Sequence, residues 1–268
     1  MTACTGDELA DYEPQLVVEG WIDSGGRPIV IVSMPVALSN DYKSLLSLSE
    51  YIIRDAKVQV SDGERTVTLR GRYDGRYFPP YIYTTTQMTG EPLKSYKLTV
   101  DYKEFHAEAV TDIPKPMEIK SLTYQQDPSD KDKYTVHAYL DTDVEQGEYF
   151  KFFTATRNEN NPDPIYYATF MGTYNRHRVL SDGYALVYCG NPKMDLKFSP
   201  FFAYGDDVTV KLATINEDSY LFWYNAEQSF NLGRNPLFPT AINAHNTIKG
   251  GMGYWCGYGC SFAHITIK

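Results

Sequence analysis

Cys4 is the first residue whose type and neighbours carry a chemical meaning. Thr2-Ala3 puts a small pair in front of it, the pattern that lipoprotein processing leaves at its cleavage site, where the cysteine becomes the acylated N-terminus. Met1 is read as a start lying within an export signal, so lipidation of Cys4 and an apolar stretch upstream of it are expected. Cys256 and Cys260 offer a second chemistry. In a continuous strand their Cα atoms would stand about 13 Å apart, beyond disulfide reach. A tight loop at Gly257-Tyr258-Gly259 would instead set them opposite each other across a hairpin, and an exported chain meets oxidising conditions. A Cys256–Cys260 disulfide is therefore expected.

The remaining constellations argue against a named catalytic centre. Cys189, Cys256, Cys260 and His264 lack the spacing of the common zinc sites, and no metal is assigned to them. Asp141, Asp143 and Glu145 alternate, but Gly147 falls at position seven where a calcium loop needs it at six, so they read as a solvated strand end. Gly250-Gly251-Met252-Gly253 is followed by no Lys-Ser/Thr and opens onto a strand instead of a helix, which removes the phosphate-loop reading. Neither H-E-x-x-H nor G-x-S-x-G occurs. His106, His137, His177 and His245 have no partner at useful spacing, so no catalytic residue and no cofactor is assigned. Tyrosines are the remaining resource, since a ring face can stack on a sugar or bury a peptide side chain. Tyr77, Tyr81 and Tyr83 in one predicted loop region, and Tyr254 and Tyr258 in a glycine-rich one, are the candidates for a ligand or partner surface.

The elements that must position these residues read as strands. The 268 residues carry 43% apolar and 15% aromatic side chains, too much burying power for a disordered chain. A net charge of −9 disfavours nucleic acid, and no apolar run reaches the ~18 residues of a membrane helix. Residues 16–22 and 28–32 carry strand signals on either side of the turn Asp23-Ser24-Gly25-Gly26, and 56–60, 65–69, 96–100 and 105–110 alternate apolar with polar, the mark of a half-buried antiparallel sandwich. Residues 15–113 are thus predicted to form an immunoglobulin-like β-sandwich behind a tether at 1–14. Two stretches, 41–53 and 78–92, break the rhythm and are candidate functional loops. Ile113-Pro114-Lys115-Pro116-Met117 reads as a stiff linker, because each proline restricts its predecessor and neither can sit in a central strand.

Beyond that linker, 114–268 is predicted as a second β-sandwich with strands near 119–124, 134–140, 149–156, 165–170, 184–188, 208–214 and 262–267. A helix is expected near 216–232. Asn216 caps it, Glu217 and Asp218 suit its positive end, Ile215 staples onto Tyr220, and Gly233 stops it. Tyr220-Leu221-Phe222-Trp223-Tyr224 is apolar around most of the helix, so the helix should be wedged between layers.

The order of these features resembles a family of Bacteroidota lipoproteins known as domain of unknown function 4249. The resemblance rests on the acidic Asp7-Glu8 after Cys4, Leu16-Val17-Val18-Glu19-Gly20-Trp21-Ile22, Ala56-Lys57-Val58-Gln59-Val60-Ser61-Asp62 and Tyr96-Lys97-Leu98-Thr99-Val100. Glu148-Tyr149-Phe150-Lys151-Phe152, the segment 215–223 and the glycine motif 249–259 extend it over nearly the whole chain. It departs from the expected pattern at Gly6, where a lysine usually precedes the acidic tag, and at Cys256 and Cys260, where small or apolar residues are usual. The resemblance implies a two-domain β protein lipid-anchored at the outer membrane, encoded beside TonB-dependent transporters. The expected function is a non-enzymatic surface lipoprotein that works with an outer-membrane β-barrel transporter in nutrient capture, with a glycan or peptide as ligand. The competing readings are a structural or assembly subunit of an envelope complex, and a surface hydrolase.

Overall fold

The computed structural model describes residues 15–35, 51–141, 148–177, 179, 183–191, 198–231 and 245–268. Strand β1 (Leu16–Asp23) shows how alternation sets the layers: Leu16, Val18, Gly20 and Ile22 point into a core, while Val17, Glu19, Trp21 and Asp23 point the other way. It pairs antiparallel with β2 (Ile29–Ser33), which continues to β6 (Tyr81–Thr84) and β5 (Arg70–Tyr73). A second sheet of β3 (Lys57–Ser61), β4 (Thr66–Thr68), β7 (Ser95–Tyr102) and β8 (Phe105–Asp112) lies over that core face in the order β4-β3-β7-β8. Val18, Ile22, Val30 and Val32 meet Val58, Val60, Leu98 and Val100 there.

The second half repeats the arrangement. Strands β11 (Tyr149–Arg157), β12 (Tyr167–Asn175) and β14 (Asp207–Ile215) pair side by side, and β9 (Ile119–Gln126), β10 (Tyr134–Leu140) and β13 (Ala185–Val187) form the facing sheet. Phe150, Phe152, Val208, Val210 and Leu212 pack against Val136, Ala138, Leu140 and Val187. The chain is an all-β sandwich.

One strand joins the halves. β15 (Gly251–Thr266) runs parallel to β1 from Leu16↔Gly251 to Asp23↔Tyr258, then antiparallel to β14 from Thr214↔Gly259 to Asp207↔Thr266. The result is one eight-stranded sheet, β12-β11-β14-β15-β1-β2-β6-β5. The expected boundary after residue 113 therefore does not divide two self-contained sandwiches; residues 251–258 complete the first from the far end of the sequence. The proline segment is packed as well, with Ile113 and Met117 buried, and it crosses β15 closely. A Cβ on Gly257 would stand 2.2 Å from the Asp112 carbonyl oxygen, and one on Gly259 the same distance from that of Pro114. The glycine motif is a crossing point, not a loop.

Helix α1 (Glu217–Asn231) lies on the outer face of the large sheet. Asn216 Oδ1 accepts the Ser219 N–H at 2.9 Å, and Glu217 and Asp218 occupy the first turn, as the sequence led us to expect. Ile215, Tyr220, Phe222 and Trp223 share one cluster with Phe153, Tyr254, Cys256 and Tyr258. Gly233 lies outside the described residues. None of the described helices is long and apolar enough to cross a membrane.

Candidate functional site

Alternation on β1 puts Glu19, Trp21 and Asp23 on the face that carries α1, in line with Tyr254, Cys256 and Tyr258 of β15. Continuing the register outward adds Phe153 of β11 and Lys211 of β14, which are partners across those strands. Trp223 of α1, the Tyr77-Phe78 turn and residues 164–168 stand over this floor and leave a cavity of about 420 Å³. Arg76 ties its two loop walls together: its carbonyl accepts the Tyr167 hydroxyl at 2.9 Å, and its guanidinium meets Asp163 at 3.3 Å. Arg76 also pairs with Asp74 at 2.8 Å, and that hydrogen bond holds the Asp74 carboxyl below its usual range. Tyr77 in turn reaches the Trp21 ring at 6.1 Å between centroids.

Among the described residues, four acidic or basic side chains line the cavity. Lys211 Nζ, buried, donates to both Asp23 carboxylate oxygens at 2.6 Å. It sits 4.8 Å from the Phe153 ring centre and 4.9 Å from that of Tyr258, so aromatic faces supply further negative potential. Burial opposes its charge most strongly of any one cause, but the Asp23 carboxylate together with Cys260 and Tyr166 outweighs it, and the ammonium is held above its ordinary value. Glu19 is different. Its accessible surface lines the cavity, and no hydrogen bond or ion pair reaches it among the described residues. Desolvation pushes its carboxyl up to about 7. Arg27, exposed at the end of the β1–β2 turn, contributes a rim cation.

A neighbouring buried pair fixes the roof. Lys151 Nζ, on the same face of β11, meets Glu227 Oε1 of α1 at 2.5 Å and the Thr169 carbonyl at 3.0 Å, and lies 5.1 Å from the Trp223 ring centre. Trp223 Nε1 donates to the Tyr258 hydroxyl at 2.9 Å. Glu227 and Trp223 thus anchor the helix to the sheet.

The tyrosine candidates divide. Tyr77, Tyr254 and Tyr258 all line the cavity, but Tyr254 and Tyr258 are buried residues of a strand, not of an exposed loop. Tyr83 is buried with its hydroxyl donating to the Ile53 carbonyl and accepting the Ala56 N–H, and Tyr81 donates to the Arg54 carbonyl. Those two serve packing because the predicted loop at 78–92 contains β6, and Met88 within it is buried.

The expected disulfide is corrected too. Gly257-Tyr258-Gly259 continues β15 without turning, so Cys256 and Cys260 stay about 13 Å apart as free thiols, each pushed up to about 12 by burial. Both face α1. Cys189, half-buried beside Thr156, and His264, paired with Asp207, do not join them, and no group of three metal-binding side chains occurs among the described residues. Asp141 pairs with Lys120 at 2.9 Å. Cys4, Asp7, Glu8, residues 41–50, Asp143 and Glu145 lie outside the described residues.

With that geometry in hand, comparison with protein families matches residues 6–259 to the domain of unknown function DUF4249. The chain belongs to this family. The DUF4249 match takes in β1, α1 and the part of β15 that carries Tyr254 and Tyr258, so all the cavity's floor strands contribute residues within it. No curated protein matches the chain.

Sequence reasoning missed Glu19, Trp21, Lys211 and Trp223 as partners in one site. A signal was present in the strands themselves: Glu19 and Asp23 flank Trp21 in Leu16–Asp23, and Lys211 is the single lysine of the largely buried Asp207–Ile215.

Proposed function

We propose that this DUF4249 chain is a non-enzymatic, lipid-anchored lipoprotein of the outer membrane that captures a small organic ligand and passes it to a TonB-dependent β-barrel transporter. The aromatic cavity under α1 carries the capture part of this reading. A cavity of about 420 Å³ with apolar walls and a few inward polar groups has the character of a small-molecule site. Its two carboxylates are poorly placed for hydrolysis. Glu19 and Asp23 lie four residues apart on one strand, and Lys211 holds both Asp23 oxygens, so only Glu19 is free to take or give a proton. Glycoside hydrolysis needs two working carboxyl groups flanking the scissile bond. The membrane address rests on Thr2-Ala3-Cys4 and Asp7-Glu8, and the transporter on what the family resemblance implies.

Capture is tested by native mass spectrometry after incubating the chain with mixed peptide and glycan hydrolysates. Wild type should retain a small-molecule adduct that Ala168→Phe, which fills the cavity, loses while keeping its circular dichroism spectrum. Equal retention by both proteins would refute the cavity as the site. Membrane fractionation of wild type against Cys4→Ala, with pull-down from detergent-solubilised outer membrane, tests the anchor and the barrel: an unchanged distribution sinks the first, and recovery of the lipoprotein alone sinks the second.

A further inference from the structure

We infer that the cavity selects an organic ammonium ion, its charged group paired with Glu19 and its apolar body held against Trp21, Tyr254 and Trp223. This deepens the capture reading and rests on it. The argument starts from the charge inventory. Asp23 and Lys211 neutralise each other, and Lys151 and Glu227 do the same behind Trp223. Arg27 stands at the exposed rim, where water screens it; by continuation of the β1–β2 register it lies across from Asp23, at the far end of the cavity from Glu19. Within the cavity, that leaves Glu19 as a desolvated carboxyl with no counter-charge among the described residues.

A carboxylate desolvated at a cavity wall with no counter-charge is unfavourable. A guest ammonium supplies the missing charge. The surroundings suit a cation equally well. Tyr254 is the direct β15 partner of Glu19, and its ring lies 4.4 Å from Phe222 and 5.5 Å from Trp223, so an aromatic cluster stands beside Glu19 on the neighbouring strand. The chain's net charge of −9 also draws cations toward it.

The groups facing Glu19 define the pH behaviour. Across β15 stands Tyr254, whose phenol is held well above its ordinary value by burial and by Glu19, so it stays neutral. On β2 stands Ile31, and from α1 come Phe222 and Trp223, none of which titrates. Tyr77, in the turn beside Trp21, is also raised by burial. Glu19 is therefore the group that changes charge near neutrality. Its carboxyl, pushed up to about 7, is about half protonated at that pH, and an ammonium binds the ionised form. Binding at pH 7 should release about half a proton, and affinity should fall about tenfold per unit as the pH drops below 7.

The test uses the full chain and three probes of one shape: phenethylammonium, 2-phenylethanol and 3-phenylpropionate. Isothermal titration in buffers of different ionisation heat should show the ammonium bound at least about tenfold more tightly than the alcohol, with the stated proton release. Glu19→Gln should bring ammonium binding down to the alcohol's level and leave the alcohol unchanged. Equal binding of ammonium and alcohol, preference for the propionate, or a Glu19→Gln variant that still prefers the ammonium would each overturn the assignment while leaving capture intact. Failure of all three probes to bind also overturns it, and the hydrolysate experiment then judges capture separately.

Discussion

Removing the Glu227 carboxylate should be among the most damaging single changes in the protein. Its Oε1 accepts from Lys151 Nζ at 2.5 Å, the Gly172 N–H at 3.1 Å and Thr173 Oγ1 at 2.7 Å. Side-chain exposure is 0% for Lys151 and 10% for Glu227, so water replaces none of these partners when one is lost. Breaking one side of a buried ion pair costs about 3–5 kcal/mol, and Glu227→Ala should fall in that range. At about 2–4 °C per kcal/mol for a domain of this size, the melting temperature drops by roughly 6–20 °C. Replacing both partners with apolar residues, Lys151→Met with Glu227→Leu, removes the orphan charge and should cost less than either single change. The sign with pH is a second check. Burial holds Lys151 below its ordinary 10.5, so between its folded value and 10.5 the folded state binds fewer protons than the unfolded one and stability rises with pH. Without Glu227 the ammonium is pulled lower still, and the variant should recover stability more steeply than wild type as the pH rises toward 10.5. Urea unfolding followed by near-ultraviolet circular dichroism measures both. Single variants costing under about 1 kcal/mol, or parallel pH slopes, would refute the reasoning.

Three further outcomes are expected. Gly257→Ala brings a Cβ to 2.2 Å from the Asp112 carbonyl oxygen and 3.0 Å from the Ile113 nitrogen, both backbone, so soluble yield should collapse; Gly63→Ala, at φ +89 in open space, should lose only about 1–2 kcal/mol. Asn216→Ala leaves the Ser219 N–H without its acceptor and should lower stability by about 1 kcal/mol in the same urea assay. Cys256 and Cys260 should stay unlabelled by iodoacetamide in the native chain and react on denaturation, with an unreduced intact mass showing no disulfide between them.

The strands were legible wherever one face met a core and the other met solvent or a thin cover. β1, β3, β7 and β8 alternate cleanly, and their registers follow. α1 was legible for a different reason: Asn216, Glu217 and Asp218 act locally, and the apolar Tyr220 to Trp223 run has no solvent face to choose. β5 was not, because Arg70–Tyr73 is exposed throughout and carries no hydrophobic signal. The glycine motif misled for a physical reason. Glycine marks a tight turn and a close backbone crossing equally, and only the distant Asp112–Pro114 segment decides between them. The same ambiguity placed the cysteines across a hairpin and the domain boundary at the prolines, since nothing local announces that residues 251–258 pair with β1 across more than two hundred positions.

The cavity was harder to see because period two sorts residues into inside and outside, and its floor is neither. Glu19, Trp21 and Asp23 occupy positions that alternation assigns to solvent, yet α1 and two loop segments cover them. A strand that reads as half-exposed but carries a tryptophan between two acids is a strand whose outer face has a partner. β11 and β14 give the same sign: Lys151 and Lys211 interrupt strands buried on both faces, and each lysine points to the side where its acid must come from another element. Both acids were there, Glu227 on the helix and Asp23 on the first strand. Glu19 breaks that pattern, being half-buried on the same face with its acid in place and its cation missing among the described residues. In a sheet that supplies a counter-charge to each of its other buried ions there, this carboxyl is the position at which a ligand completes the protein's own pairing rule.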